Sequence, residues 1–485
     1  MTRGFSRRTF FKGMVLSTGA VLAACATSDQ PTPKGVDKPA RPLPIPPLYE
    51  GELDGNTRTF ELTAQEGTYE ILPGVISRTW GFNGAFLGPT LYMRKGEHIR
   101  MTVRNDVTEP TVVHWHGMHL AADADGGPAL TFPPGETWTP TWTVEQDAAT
   151  LWYHPHPHGV SALHAYRGLA GGIVVADEAS DALGLPNTYG VDDIPVVLTD
   201  AKFTDDGQLD ETIDPTYGLL GDTPLVNGIT KPELEAQAGR LRLRLLNGAT
   251  MRFHNLSLGV PFHVIATDQG LLERPVEVDS ILLSPGERAE VIVDVEPGKD
   301  LELRSIGVPD RGGLPDEEGA NGFGLTDVFD LMQIKVPDTL DQEASPALPE
   351  TAPVKTADAV AEREFRLNGF QINEQSMDMD RIDFEKTEEG PEIWTVTNEN
   401  ADWPHNFHIH NARFRVLDVE GGEVEFTEGW HDTIYVPPLS TVRLHVDIPM
   451  HRNDDYTFMY HCHMLFHEDE GMMGQFKIPT SGPRH

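Results

Sequence analysis

Tyr460-His461-Cys462-His463 is followed, after His467, by Gly471-Met472-Met473-Gly474-Gln475-Phe476-Lys477-Ile478. This stretch reads as a strand, a glycine-marked turn and a closing strand. The plan occurs once before. Trp152-Tyr153-His154-Pro155-His156 leads to Gly168-Leu169-Ala170-Gly171-Gly172-Ile173-Val174-Val175. Each copy has an earlier partner strand, carried by His114-Trp115-His116-Gly117 in one case and by His405-x-x-His408-x-His410 in the other. A distant internal repeat of this kind implies two related domains, first and last, that meet at their histidine clusters. The middle third holds Leu245-Leu246-Asn247-Gly248 and Pro261-Phe262-His263-Val264-Ile265, the same plan without the paired histidines. His254 and His263 are therefore expected to be structural.

Outward from these motifs, short runs rich in Val, Ile, Thr and Leu alternate with turn signals, among 46 Gly and 38 Pro, and long helical periodicity is scarce. That pattern predicts an all-β chain of sandwich domains. The expected boundaries are 48–178, 179–336 and 364–485, with a linker over 337–363 that is rich in Pro, Ala and Glu.

The chemistry follows from the residue types. In an extended strand successive side chains face opposite ways. Two imidazoles in His-x-His would share a face and could hold metal together, whereas Cys462 would face away from His461 and His463. A cysteine with a nearby histidine (His467) and methionine (Met472) is the donor set copper prefers for single-electron transfer, a weak axial methionine helping to set the potential. Cys462 would then face one metal and its neighbours another, joined by covalent bonds. Half of the 20 histidines fall in these segments.

Composition bounds the partners. Lys plus Arg total 37 and Asp plus Glu 75, a formal net charge of -38, which repels nucleic acid and anionic lipid. Only Cys25 and Cys462 are present, so no internal disulfide is expected once Cys25 is removed or lipidated, and Cys462 is left free to act as a thiolate ligand. Ser6-Arg7-Arg8-Thr9-Phe10-Phe11-Lys12 with the apolar run to Ala24 looks like a twin-arginine export signal over 1–26, too short to span a membrane. Leu22-Ala23-Ala24-Cys25 resembles a lipobox, with Cys25 acylated; ordinary cleavage after Ala24-Cys25-Ala26 is the competing reading. Residues 27–47, rich in Pro, suit a tether. The mature chain is expected in the periplasm or cell envelope, with no membrane contact beyond that anchor, and a monomer is the default expectation.

With these motifs in order, nearly the whole mature chain resembles the three-domain multicopper oxidases: laccases, bilirubin oxidases and bacterial copper efflux oxidases. The resemblance implies three cupredoxin-like Greek-key β-sandwich domains and four copper ions. It matches His405, Cys462 and His467, with Met472 axial, to a blue type 1 copper. It matches His114 and His408 to type 2, and His116, His154, His156, His410, His461 and His463 to the type 3 pair. It implies four one-electron oxidations of a small-molecule reductant coupled to reduction of O2 to water. Asp125, in Asp125-Gly126-Gly127-Pro128, and Glu468 match family acids expected to relay protons or orient ligands. His119, His158 and His164 fall outside the ligand positions. Met473, Asp402 and Trp403 could line the substrate mouth, core packing being the alternative for Met473 and Trp403; Trp115 is expected to point into the core.

A laccase-like oxidation of phenols or aromatic amines is the leading expectation. A cuprous oxidase in copper tolerance is the alternative. It is weakened because 337–363 has no methionine, and Met377-Asp378-Met379-Asp380 is only a short remnant of the Met-rich insertion carried by efflux oxidases. Outside enzymes, some exported relatives act as cell-envelope, division-associated structural proteins without copper, having lost ligands that this chain keeps. Non-enzymatic copper storage would not need the Cys462 connection.

Overall fold

The structure, a computed structural model, describes residues 41–340, 348, 350 and 357–480. The expected leader, Cys25 and the first part of the tether lie outside the described residues, as does much of the stretch between 341 and 356.

Six sheets make up the described chain, two in each third. Alternation explains strands with one face toward solvent: Glu392–Asn398 buries Trp394, Val396 and the residues two apart from them while the intervening side chains stay partly exposed. Three apolar cores lie between the paired sheets, around Trp115 and Phe60 in the first third, Leu243 and Val291 in the second, and Trp394 and Phe407 in the third. Among the described residues helix is confined to short pieces such as Ser161–Tyr166 and Leu465–Asp469.

The ligand-bearing strands break the alternation. Ala149–Pro155 and His405–Ile409 are buried at every position, because one face packs on its own core and the other on a neighbouring sandwich. The two repeats also share a register. His154 pairs directly with His114 across antiparallel strands, and His408 pairs with His461 in the same way. A slip of one residue would turn each imidazole into its own core.

The end of the Pro-rich stretch is not a free tether. Leu43 is buried in the core of the middle third, Arg41 donates to the carbonyl of Glu70, and Leu48–Tyr49 pairs with Thr90-Leu91. Composition signals an extended chain there, but Leu43 and Ile45 give it apolar surface to bury.

Candidate metal centre

The strand Phe458–His461 ends at His461, and Cys462 sits in the bend before the short helix Leu465–Asp469. Its Sγ lies 3.6 Å from Nδ1 of His467 and 3.8 Å from Nδ1 of His405, and those two nitrogens are 3.2 Å apart. Met472 is fully buried beside them, its main chain bonded to those of Cys462 and His467. Asn406, alternating with His405 on its strand, accepts from the His463 N–H at 2.6 Å and lies 3.5 Å from the sulfur. Its amide donates to Ser284 and Pro285 of the middle sandwich. Burial pushes the Cys462 thiol up to about 12, so it reaches the thiolate form by giving its proton up to a metal.

His461 and His463 point the other way, as expected. They join six more buried histidines from the first and last sandwiches. Nε2 of His461 lies 3.1 Å from Nε2 of His410 and 3.3 Å from that of His156. Nε2 of His463 lies 3.3 Å from that of His154. His114 and His116 share one group of nitrogens, and so do His408 and His410; the pair His154-x-His156 divides instead, His154 facing His463 and His156 facing His461. His156 lies just past the end of its strand, Ala149–Pro155.

Four of the eight rings have their tautomer set by a main-chain carbonyl. Nδ1 of His114 donates to Asp125, of His154 to Pro155, of His408 to Asp432 and of His461 to Cys462. A carbonyl only accepts, so Nε2 of each ring carries a lone pair. The Nε2 atoms of His114 and His408 have no partner among the described residues. Burial, with mutual repulsion among the rings, depresses every one of these imidazoles, His154 to about 3 and His461 to about 4. Lone pairs crowded inward without protons suit bound cations, and imidazole with thiolate and thioether suits copper. His114, His408 and His410 offer nitrogens within 4.8 Å of one another; so do His156, His410 and His461, and the donors of His405, Cys462 and His467. The expected ligands therefore fit the metal.

Both expected acids are against the cluster. Asp125 Oδ2 is 2.6 Å from Nδ1 of His410, and Oδ1 has no partner. Gly126, at φ 82°, lets that turn lie on the strand bearing His114: a Cβ there would stand 1.8 Å from the Val113 carbonyl. The carboxylate of Glu468 lies 3.3 Å from Nδ1 of His156 and 3.3 Å from Nδ1 of His461. On their short helix the neighbours His467 and Glu468 face different ways, one to each set of ligands. Burial raises Asp125 and Glu468 well above the usual carboxylate range, Asp469 adding to the effect at Glu468.

Sequence reasoning missed Asp432. It is fully buried, its Oδ1 is 3.0 Å from Nε2 of His116, and its carbonyl takes the His408 proton. Its oxygens come near enough to both rings to resemble a further metal group. They are already engaged by Arg288 and Gln269, however, so Asp432 supports the ligands from behind. No local motif marks it.

The remaining residues divide. Trp115 is buried among Trp138, Trp142 and Tyr153, and His164 bonds Glu109 and Thr111. His119 is buried, His158 and Asp402 are exposed, and Met473 is buried. His254 bonds Ser305 inside the middle sandwich, and His263 faces Glu277 at its surface. Trp403 is half-buried and stacks on His467, ring centres 5.6 Å apart at 23°, with Phe370 beside it 5.3 Å from the same imidazole. Nε2 of His467 is buried beneath them without a partner.

Multicopper oxidase family models match residues 63–180, 201–300 and 347–482. The chain is 32% identical to the multicopper oxidase mco of Staphylococcus aureus over 443 residues, 90% of this chain and 92% of that protein. It is 34% identical over 487 residues to the cell division protein FtsP of Escherichia coli (strain K12), covering 98% of each. Among solved structures it is similar to the laccase of Pediococcus acidilactici, with a TM-score of 0.79 and 34% identity over 90% of this chain and 93% of that one.

Proposed function

The chain belongs to the multicopper oxidases, and on that premise we propose that it is an exported enzyme coupling four one-electron oxidations of a phenol or aromatic amine to reduction of O2 to water. The observation that carries this reading is the completeness of the donor set, with Cys462 on one side and, on the other, eight buried histidines, four of them with a lone pair turned inward by a main-chain bond. His405, Cys462, His467 and Met472 would hold the type 1 copper, His114 and His408 the type 2. His116, His154, His156, His410, His461 and His463 would hold the type 3 pair. When bound, four coppers supply single-electron acceptance at one site and dioxygen reduction at the other three. The protein's residues do the rest. The main chain through Cys462 joins the two sites. Burial at the histidine cluster excludes water. Asp125 and Glu468 hold protons beside the rings of His410, His156 and His461, where the formation of water consumes them.

The half-buried faces of Trp403 and Phe370 over His467 favour an aromatic donor, which can stack there. Export by the twin-arginine machinery, with Cys25 either acylated or removed, is the localisation we propose from the leader.

Two other readings have an observation each. A cuprous donor is favoured by Met377, whose N–H bonds the carbonyl of Gly471 and so brings Met377-Asp378-Met379-Asp380 beside the Met472 turn. A non-enzymatic envelope role is favoured by the full-length similarity to the cell division protein. Copper reconstitution followed by metal counting, visible spectroscopy and oxygen uptake separates the three. Four coppers, a blue thiolate band and oxygen uptake with a phenol, insensitive to added copper, are expected. A steep rise with added copper points to the cuprous donor. A colourless, copper-loaded protein that consumes no oxygen with any reductant rejects the oxidase reading.

A further inference from the structure

We infer that Arg288, from the middle sandwich that holds none of the matched ligands, is a positioning residue for the histidine cluster and acts through Asp432; the inference rests on the oxidase reading above. Arg288 and Asp432 are both fully buried. A guanidinium has five N–H donors in a fixed fork, and all are used here. Two go to Asp432, Nη1 to Oδ1 at 2.7 Å and Nη2 to Oδ2 at 2.6 Å. The others reach the carbonyls of Thr150 in the first sandwich and of Gly286 and Asp268 in the second. One cation thus binds all three sandwiches at one point.

The carboxylate it clamps has nearly all its acceptor capacity committed. Oδ1 also faces Nε2 of His116 at 3.0 Å and accepts from Thr433, and Oδ2 accepts from Gln269 at 2.6 Å. The main chain of the same residue takes the Nδ1 proton of His408 at 2.9 Å. Asp432 therefore decides which nitrogen of two ligand rings, from two different sandwiches, is left free: Nδ1 of His116 and Nε2 of His408, both without partners among the described residues. Orientation of a ligand ring by the group behind it tunes metal affinity. Here that group is itself fixed by a bidentate charge pair. Packing leaves no slack. Gly117, directly after His116, is at φ 87°, and a Cβ there would stand 2.7 Å from Asp432 Oδ2 and 2.9 Å from Arg288 Nη2.

The device touches one half of the reaction only. The described bonds of Arg288 and Asp432 reach the rings of His116 and His408, and none reaches His405, Cys462, His467 or Met472. Loss of the clamp should disturb oxygen reduction and spare electron entry.

The test uses the copper-loaded full chain with Arg288→Lys, Arg288→Met and Gln269→Met. Electron paramagnetic resonance reads the type 2 signal, copper is counted, and stopped-flow follows the blue band. Anaerobic bleaching by a phenol should keep the wild-type rate. Reoxidation by O2 should slow about 10- to 100-fold in Arg288→Met, and the type 2 signal should shift or shrink. Arg288→Lys should resemble it, since an ammonium cannot reproduce the fork. If both Arg288 variants fail to fold, Gln269→Met keeps the charge pair and decides alone, with a several-fold slowing and an altered type 2 signal expected. Reoxidation within twofold of wild type with an unchanged type 2 signal overturns the inference. Equal losses in bleaching and reoxidation also overturn it, as general damage. If the wild type binds copper but consumes no oxygen, the oxidase reading fails, and the type 2 signal still decides the clamp.

Discussion

Asp125 Oδ2 lies 2.6 Å from Nδ1 of His410, although the two residues are 285 positions apart and belong to sandwiches from opposite ends of the chain. This contact supplies an acid beside the cluster and joins the two domains that share it. Asp125→Asn keeps the shape and removes the proton-donating acid. The expected result is a fall in oxygen-reduction rate of about a hundredfold or more, with the blue band intact. Single-turnover reoxidation by O2 measures it. A variant that reoxidises normally, or that loses type 3 copper while keeping its rate per loaded centre, would leave Asp125 only a ligand support.

Glu468 offers a parallel case with different geometry, since it faces two rings from two sandwiches at 3.3 Å each. Glu468→Gln should slow the same half-reaction by a similar order. Combining it with Asp125→Asn should cost less than the product of the single effects if both feed protons to one reaction. Strictly multiplicative losses would show that the two acids act independently.

Trp403 covers the buried edge of His467 and is itself half-buried. If the donor stacks on it, Trp403→Ala removes a contact of about 0.5–1.5 kcal/mol. KM for a phenol should then rise about two- to tenfold with kcat little changed. Steady-state kinetics with one phenol and one non-aromatic reductant checks this, because only the phenol should respond. A fall in KM for bulky phenols would instead make Trp403 a lid that excludes them.

Legibility of the site in the sequence follows distance along the chain. The histidine pairs, Cys462, His467 and Met472 are readable because each group lies within one strand end or turn, where spacing translates directly into facing. The lone pairs they present are also readable, since the bond from Nδ1 of His154 or His461 goes to a carbonyl one residue away. Arg288 and Asp432 are 144 positions apart and meet only when three sandwiches close on one another, so no local pattern announces them. The cap on His467 is similar: Phe323 of the middle sandwich packs on Trp403, and spacing alone leaves Trp403 divided between the mouth and the core. Residues 41–47 mislead in the other direction, because proline content argues for an extended chain but says nothing of what Leu43 can bury.

Protons should oppose copper in its effect on stability. Burial holds His154 and His467 at about 3 and His461 at about 4, against about 6.5 for an unfolded imidazole. Above pH 6.5 neither state protonates these rings and their contribution is fully present. As the pH falls through 6.5 toward the folded values, the unfolded chain gains protons that the folded chain refuses, and stability is lost, about 1 kcal/mol per ring between pH 7.5 and 5.5. Asp125, Glu468, Asp469 and Glu287 are raised by burial and pull the other way in that window, but the buried rings outnumber them. The copper-free protein should therefore have a lower urea midpoint at pH 5.5 than at 7.5. Copper should raise the midpoint at both values, and by less at 5.5, because metal and proton compete for the same nitrogens. An acid-insensitive midpoint in the metal-free chain would mean that the rings are not held neutral by burial, and the case for inward-facing lone pairs would fall with it.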